Sequence, residues 1–66
     1  MKNKLKVLRA ERDMTQADLA DLLSVSRQTI NAIEKGKFDP SLPLAFKMSN
    51  LFQLSIEAIF EYDDRT

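Results

Sequence analysis

The sequence predicts an all-α fold of five short helices, and three observations support this prediction. Apolar residues recur at intervals of three and four along most of the chain, which is the spacing of one helix face. Four such segments follow a residue type that favours the first position of a helix, namely Thr15, Ser26, Ser41 and Ser55. The single glycine, Gly36, stands where the third helix would need a left-handed residue to end.

Composition limits what kind of protein this is. The 66 residues suffice for one domain, expected to span residues 1–66, near the lower size limit for folding alone. Cys and His are both absent, so the core must form by packing, without disulfides or histidine-bound metal. No apolar run approaches the ~20 residues that cross a bilayer. The basic start lacks the apolar segment of a secretory signal. We therefore expect a cytoplasmic protein with no membrane partner.

Charge is distributed unevenly although the formal net charge is zero. Residues 1–37 carry eight Lys or Arg and five Asp or Glu, whereas residues 38–66 carry two and five, so the halves differ as +3 and −3. Positive charge therefore lies on the half that contains the first three helices. The excess is modest, so steering of a partner by the overall electrostatic field should be weak.

The first helix is predicted over residues 3–12. Its inward face contains two arginines, Arg9 and Arg12, among leucines. Arg12 lies at the helix end, where it can reach water. Arg9 is central and requires a carboxylate if it is buried, because an unpaired buried charge is costly. Glu34 on the third helix is the candidate partner; the alternative is that Arg9 lies at the rim of this face and stays solvated.

The second and third helices are predicted over residues 16–23 and 27–35, joined by a tight turn. Thr15 and Asp18 have the spacing of a capping box. Ser24 falls where such a turn usually requires a left-handed residue. The inward face of the third helix is apolar, but its first turns carry side chains that can contact base edges in a DNA groove, namely Arg27, Gln28, Thr29 and Asn31.

The last two helices are predicted over residues 42–52 and 56–60, followed by an acidic tail over residues 61–66. The fourth helix has more apolar residues than a one-sided surface helix needs. Either it is buried nearly all round or part of it meets a second chain. Residues 59–62 also have β-leaning character, so this segment is a candidate short strand, which could pair across a dimer.

Several motifs in order resemble one known family. The segment MTQADLADLLSVSRQTINAIEKGKFDPSL, residues 14–42, is followed by LAFKMSN and LSIEAIF at the expected distances. Over about residues 4–60 the chain resembles the lambda-repressor-like (Cro/repressor, Xre-type) helix-turn-helix family. The resemblance implies a compact five-helix DNA-binding domain with the helix-turn-helix at helices two and three, which regulates transcription, usually as a dimer on a two-fold operator.

The resemblance also assigns roles to individual residues. Gln16 matches a residue that contacts a phosphate. Lys35 and Lys37 match positions where the following loop lies along the DNA backbone, and Arg9 and Glu34 match a structural ion pair. The contacts to bases and phosphates are assigned to the polar residues of the third helix, namely Arg27, Gln28, Thr29 and Asn31. Ser24 departs from the family, which usually has Gly there.

A groove-binding mechanism follows from this reading. With the third helix in the major groove, Gln28 can pair with adenine, and Arg27 with guanine or a phosphate. Thr29 can contact a thymine methyl or a phosphate. The alternative is that Gln28 and Asn31 are ordinary solvated residues, and that Lys35 serves only as a charge at the helix C-terminus.

The expected function is a sequence-specific transcriptional regulator, a repressor, that binds a palindromic operator in double-stranded DNA as a homodimer. Dimerisation doubles the number of base contacts. Its interface candidates are Leu44, Phe46, Leu51 and Tyr62. The alternative is a protein-interaction module, such as an antitoxin that mainly binds a partner protein. An enzyme is not expected, since no general acid–base pair stands out, and neither is a cofactor, a metal or a small-molecule ligand.

Overall fold

A computed structural model of the protein describes residues 1–62 and contains five helices and two short strands. In chain order they are β1 Lys2–Asn3, α1 Leu5–Glu11, α2 Gln16–Leu23, α3 Arg27–Glu34, α4 Leu42–Phe52, α5 Ile56–Ile59 and β2 Phe60–Glu61. The predicted helical fold is confirmed, with α2 and α4 at the predicted bounds. The predicted acidic tail lies outside the described residues from residue 63 onward.

The N-terminus departs from the prediction, which began the first helix at residue 3. Residues 2–3 instead pair antiparallel with β2, Asn3 opposite Phe60. The Asn3 side-chain nitrogen donates to the Ile33 carbonyl at 2.8 Å, and its oxygen accepts the Leu5 N–H at 3.2 Å. Asn3 thus keeps residues 2–3 extended, and its side chain accepts a backbone N–H where α1 begins. The strand expected near residue 60 exists as β2, and it pairs with β1 of the same chain.

Polar side chains fix the starts of α2 to α5 where the sequence predicts them. The Thr15 hydroxyl accepts the Asp18 N–H and the Asp18 carboxylate accepts the Thr15 N–H, both at 3.0 Å. The serines before α3, α4 and α5 each accept the N–H three residues later, at 3.1 to 3.3 Å. Each cap satisfies a backbone donor that has no partner within its helix.

Left-handed residues end four of the helices, α1 among them, where Asp13 has φ 54°. Ser24 ends α2 with φ 59° and Gln53 ends α4 with φ 56°, while Gly36 follows α3 with φ 75°. Ser24 adopts the predicted left-handed conformation, which its Cβ disfavours. Gly36 meets no such penalty, and there the Lys37 N–H returns to the Ala32 carbonyl at 3.0 Å. The turn at Ser24 makes the short connection between α2 and α3, which pack against each other.

One apolar cluster takes residues from all five helices and from β2. Its members are Leu5, Leu19, Ala20, Leu23, Ile30, Ile33, Leu44, Ala45, Met48, Phe52, Ile59 and Phe60. Leu44 is only 8% exposed, so its assignment as a dimer-interface candidate is wrong. The reason is that Leu44 is part of the apolar cluster, on a helix that packs against both α2 and α5. Phe46, on the other flank, is 54% exposed.

Arg12 joins α1 to the end of α4, a contact that the sequence did not reveal. Its guanidinium donates to the Leu51 and Phe52 carbonyls, both at 3.1 Å, and lies 5.0 Å from the centre of the Phe52 ring. The expectation that Arg12 simply reaches water is therefore incomplete. A cation here satisfies carbonyls that α4 leaves unpaired and lies at the negative end of its dipole.

Within residues 1–62, no helix is both long enough and apolar enough to cross a bilayer.

Candidate nucleic-acid interface

Helix α3 has two sharply different faces. Ile30 and Ile33 are fully buried and anchor the helix to the core. Arg27 and Gln28 are exposed, while Thr29 and Asn31 are half-buried. We call this second set, Arg27, Gln28, Thr29 and Asn31, the polar face of α3. Because α2 packs on α3, the polar face lies beside the start of α2.

An open depression forms where the two helices meet. It has a volume of about 330 Å³ and is lined by Gln16, Arg27, Gln28 and Asn31. Four of the residues that the sequence assigns to DNA contact therefore line the same depression. Their amide and guanidinium groups supply both hydrogen-bond donors and acceptors, which is the chemistry needed to contact base edges and phosphates.

Thr29 is partly engaged with the start of its own helix. Its hydroxyl lies 2.9 Å from the Ser26 hydroxyl, and its N–H donates to the same Ser26 oxygen at 3.1 Å. The Thr29 side chain therefore supports the cap of α3. Its methyl group keeps the ability to contact a thymine methyl, whereas its hydroxyl already has a partner in the protein.

Gln16 connects α2 to α3 through its side-chain amide. The Gln16 Nε2 donates to the Glu34 carboxylate at 3.1 Å and to the Asn31 Oδ1 at 3.4 Å. Sequence reasoning missed this arrangement, because the bonds join residues 15 and 18 positions apart and no spacing rule predicts them. The only signal was the position of Gln16 at the start of α2.

Arg9 and Glu34 form an ion pair behind the polar face. Arg9 Nε and Nη2 donate to the two oxygens of Glu34 at 2.6 and 3.0 Å, and Nη1 donates to the Met14 carbonyl at 2.9 Å. The side chains are 14% and 6% exposed, so Arg9 is paired and not solvated at a rim. This pair ties α1, the α1–α2 connection and α3 together.

The ion pair shifts the pKa of both partners. Burial alone would raise the pKa of Glu34, but hydrogen bonds from Arg9 and then Gln16 outweigh it and hold the pKa below its ordinary value. The hydrogen bond to Glu34 raises the pKa of Arg9. Glu34 is therefore a carboxylate at neutral pH, and each of its oxygens only accepts hydrogen bonds.

Lys35 and Lys37 follow the end of α3 and are both exposed. Among residues 1–62, the ion pairs found join Met1 to Asp39 and Arg9 to Glu34, so neither lysine is neutralised by a described carboxylate. An eight-residue helix is about 12 Å long, so these lysines and Arg27 place positive charge at opposite ends of α3.

In this protein an exposed polar helix, α3, follows a short turn and packs against α2 beside the N-terminus of α2. This arrangement defines the class of helix-turn-helix DNA-binding domains. The match to known proteins agrees with this geometry. The chain belongs to the Cro/C1-type, Xre-like helix-turn-helix family, whose model, described as "Helix-turn-helix", matches residues 5–59.

Relatives extend over nearly the whole chain. A protein of Methanocaldococcus jannaschii named as an uncharacterized HTH-type transcriptional regulator is 64% identical over 97% of both chains. Proteins with the same description occur in Bacillus subtilis, 47% identical over 91% of each chain, and in Archaeoglobus fulgidus, 45% identical over 97% of this chain and 90% of that one. The predicted family and DNA-binding regulator class are confirmed; this family is not normally enzymatic.

Proposed function

We propose that the protein is a repressor that binds a palindromic operator as a homodimer, with α3 of each protomer in the major groove. The observation that carries this proposal is the polar face of α3, where Gln28 is exposed opposite the buried Ile30 and Ile33 and Arg27 is exposed beside it. A helix anchored in this way presents its side chains from a rigid support. Repression requires only that the bound protein excludes other proteins from the operator.

Each residue of the interface receives a role in this proposal. Gln28 pairs with adenine through its amide, and Arg27 contacts guanine or a phosphate. Because the Gln16 side-chain nitrogen already donates to Glu34 and Asn31, the phosphate contact expected of Gln16 falls to its backbone N–H at the start of α2. Lys35 and Lys37 add attraction to the DNA backbone that does not depend on sequence.

The division of roles predicts different effects for two alanine substitutions. Gln28→Ala should relax discrimination at one base pair in each half-site, by about 1–3 kcal/mol. Lys37→Ala should weaken binding about equally for all sequences and reduce the dependence of affinity on salt by about one phosphate contact. Fluorescence anisotropy with operator variants at several salt concentrations measures both. If the two substitutions act equally on every sequence, α3 does not read bases in the proposed way.

The exposed side of α4 is the proposed dimer interface. Phe46 and Leu42, one helical turn apart, are 54% and 64% exposed, and residues at this spacing lie on the same face of a helix. Leu51 is half-buried and Tyr62 is exposed, so both retain some surface for contact. Two chains joined here would read two half-sites about one helical turn apart.

A single charge on this surface should dissociate the dimer. Phe46→Glu would place a carboxylate against an apolar partner surface, where burial of an unpaired charge is unfavourable. We expect the monomer mass in sedimentation equilibrium at a concentration where the wild type is dimeric. Val7→Glu is the matched control, because Val7 on α1 is 57% exposed. A Phe46→Glu protein that remains dimeric would exclude this face as the interface.

The second candidate function is a partner-binding module such as an antitoxin, and the exposed aromatic residues Phe38 and Phe46 favour it. Such a protein would need its apolar surface more than its polar face of α3. Measuring DNA binding separates the two functions, because a partner-binding module without operator recognition would bind all duplexes alike.

A further inference from the structure

We infer that the Arg9–Glu34 pair has a positioning role in DNA reading: acting through Gln16, it determines which edge of the Asn31 amide faces the DNA. This inference rests on the proposed function, since it concerns how the polar face of α3 selects a base. In this arrangement the largely buried ion pair orients the Gln16 amide, and Gln16 orients the Asn31 amide that contacts a base.

Glu34 is an ionised carboxylate in the folded protein. Its two oxygens accept three hydrogen bonds, two from Arg9 and one from Gln16, at 2.6, 3.0 and 3.1 Å. A carboxylate has no hydrogen to donate. Any group within hydrogen-bond distance of Glu34 must therefore be a donor. The Gln16 amide lies at this distance, so it must turn its NH2 group toward Glu34.

Glu34 in turn fixes the orientation of the Gln16 amide. A side-chain amide can be turned by 180°, which exchanges its oxygen and its NH2 group. With the oxygen toward Glu34, two acceptors would lie 3.1 Å apart with no hydrogen between them. The carboxylate therefore selects the orientation in which Nε2 faces Glu34. The second hydrogen on that nitrogen is then available for α3.

Gln16 then fixes the orientation of the Asn31 amide. Gln16 Nε2 lies 3.4 Å from Asn31 Oδ1. Turning the Asn31 amide by 180° would place its NH2 group against that of Gln16, so that two donors would face each other. Asn31 therefore keeps its oxygen toward Gln16 and its Nδ2 on the opposite side of the amide. Asn31 borders the same depression as Arg27 and Gln28.

The consequence is a restricted choice of base. An amide that presents its NH2 group donates to guanine O6 or N7, adenine N7 or thymine O4 in the major groove. Cytosine presents an N4 donor there, which cannot accept this hydrogen bond. At the base position that Asn31 contacts, the protein should therefore disfavour cytosine on the contacted strand.

A double-mutant cycle on operator variants tests the inference. Asn31→Ala identifies the base position that Asn31 reads. Gln16→Met removes the orienting donor but leaves both hydrogen bonds between Arg9 and Glu34. We expect Gln16→Met to lower discrimination at that same position by roughly fivefold or more, the lower range for one mismatched base pair, and to change it no further when Asn31 is already alanine.

Gln28→Met is the matched control, because it is the same substitution at an exposed residue of the polar face. It should relax discrimination at a different base position. The inference is overturned if Gln16→Met weakens all operator variants equally, or if its effect on discrimination persists undiminished in the Asn31→Ala protein. Either result would mean that Gln16 contacts DNA without orienting Asn31.

A measurement without DNA separates failure of the inference from failure of the proposed function. Side-chain ¹⁵N relaxation should show an ordered Asn31 amide in the wild type and a more mobile one in Gln16→Met, measured at a temperature where both proteins are folded. Equal mobility of this amide in both proteins would overturn the inference even if an operator is bound. Failure of the wild type to select any sequence would instead refute the proposed function, and with it the inference.

Discussion

Replacing Glu34 with alanine should lower the free energy of unfolding by about 3–5 kcal/mol, because it leaves the Arg9 charge without its partner in a largely buried place. The Arg9 side chain is only 14% exposed, and no other described carboxylate pairs with it. A domain of this size has only about 3–5 kcal/mol of stability from its core. The Glu34→Ala protein should therefore be largely unfolded at 37 °C, as measured by circular dichroism and urea titration.

The compensating double substitution distinguishes a buried pair from a surface pair. Arg9→Met with Glu34→Leu removes both charges and fills the space with apolar atoms, so it should recover most of the stability lost in either single variant. Lys47→Ala, on the exposed side of α4, provides a control and should change stability by less than about 0.5 kcal/mol. Small, additive losses from the two single substitutions would contradict the account.

The same pair predicts a pH dependence that the double variant should lack. Folding lowers the pKa of Glu34 from its usual 4.5. The ionised form is therefore favoured by folding, and its contribution is fully present above the unfolded-state pKa. That contribution is lost as the pH falls through the lower, folded-state pKa. Urea midpoints measured below pH 5 should fall more steeply for the wild type than for the double variant.

Ile30→Ala should have the second largest effect, a loss of about 2–5 kcal/mol in the free energy of unfolding. Ile30 is fully buried and lies on the opposite side of α3 from Gln28. Removing three of its carbon atoms leaves a cavity beneath the helix that carries the polar face. Because such a loss approaches the total stability of a small domain, Ile30→Val supplies a milder step of about 0.5–1.5 kcal/mol. Urea titration measures both.

Leu22→Ala is the matched control for this cavity, because Leu22 on α2 is 58% exposed and loses the same number of carbon atoms. Its stability should stay within about 0.5 kcal/mol of the wild type. If Ile30→Ala were equally mild, α3 would not be anchored by its buried face, and the rigid support that the proposed function needs would be missing.

Local interactions explain why the helices could be predicted so closely. A serine or threonine cap acts on an N–H three residues away, so the starts of α2 to α5 follow from short segments of sequence. The strand pair could not be found in this way, because residue 2 pairs with residue 61. Likewise, periodicity places Leu44 and Phe46 on opposite flanks of α4, and only the tertiary packing around α4 determines which flank is buried.

In the candidate site, too, some features follow from local sequence and others depend on tertiary packing. The exposure of Arg27 and Gln28 follows from the period of α3, since Ile30 and Ile33 direct the opposite face to the core. The hydrogen bonds from Gln16 to Glu34 and Asn31 depend on how α2 and α3 cross. The spacing of residues along the chain does not predict that crossing. Sequence therefore predicts which residues face outward, whereas the structure is needed to say which edge of each amide is presented.

Selection from a random pool of duplex DNA tests the central claim, that α3 reads base sequence as one half of a dimer. The wild-type protein should enrich one inverted repeat whose half-sites lie about 10–10.5 base pairs apart. Its affinity for that sequence should fall steeply with salt and exceed its affinity for unrelated duplexes at every salt concentration. A pool that remains random after repeated selection, with equal affinity for all duplexes, would contradict the claim.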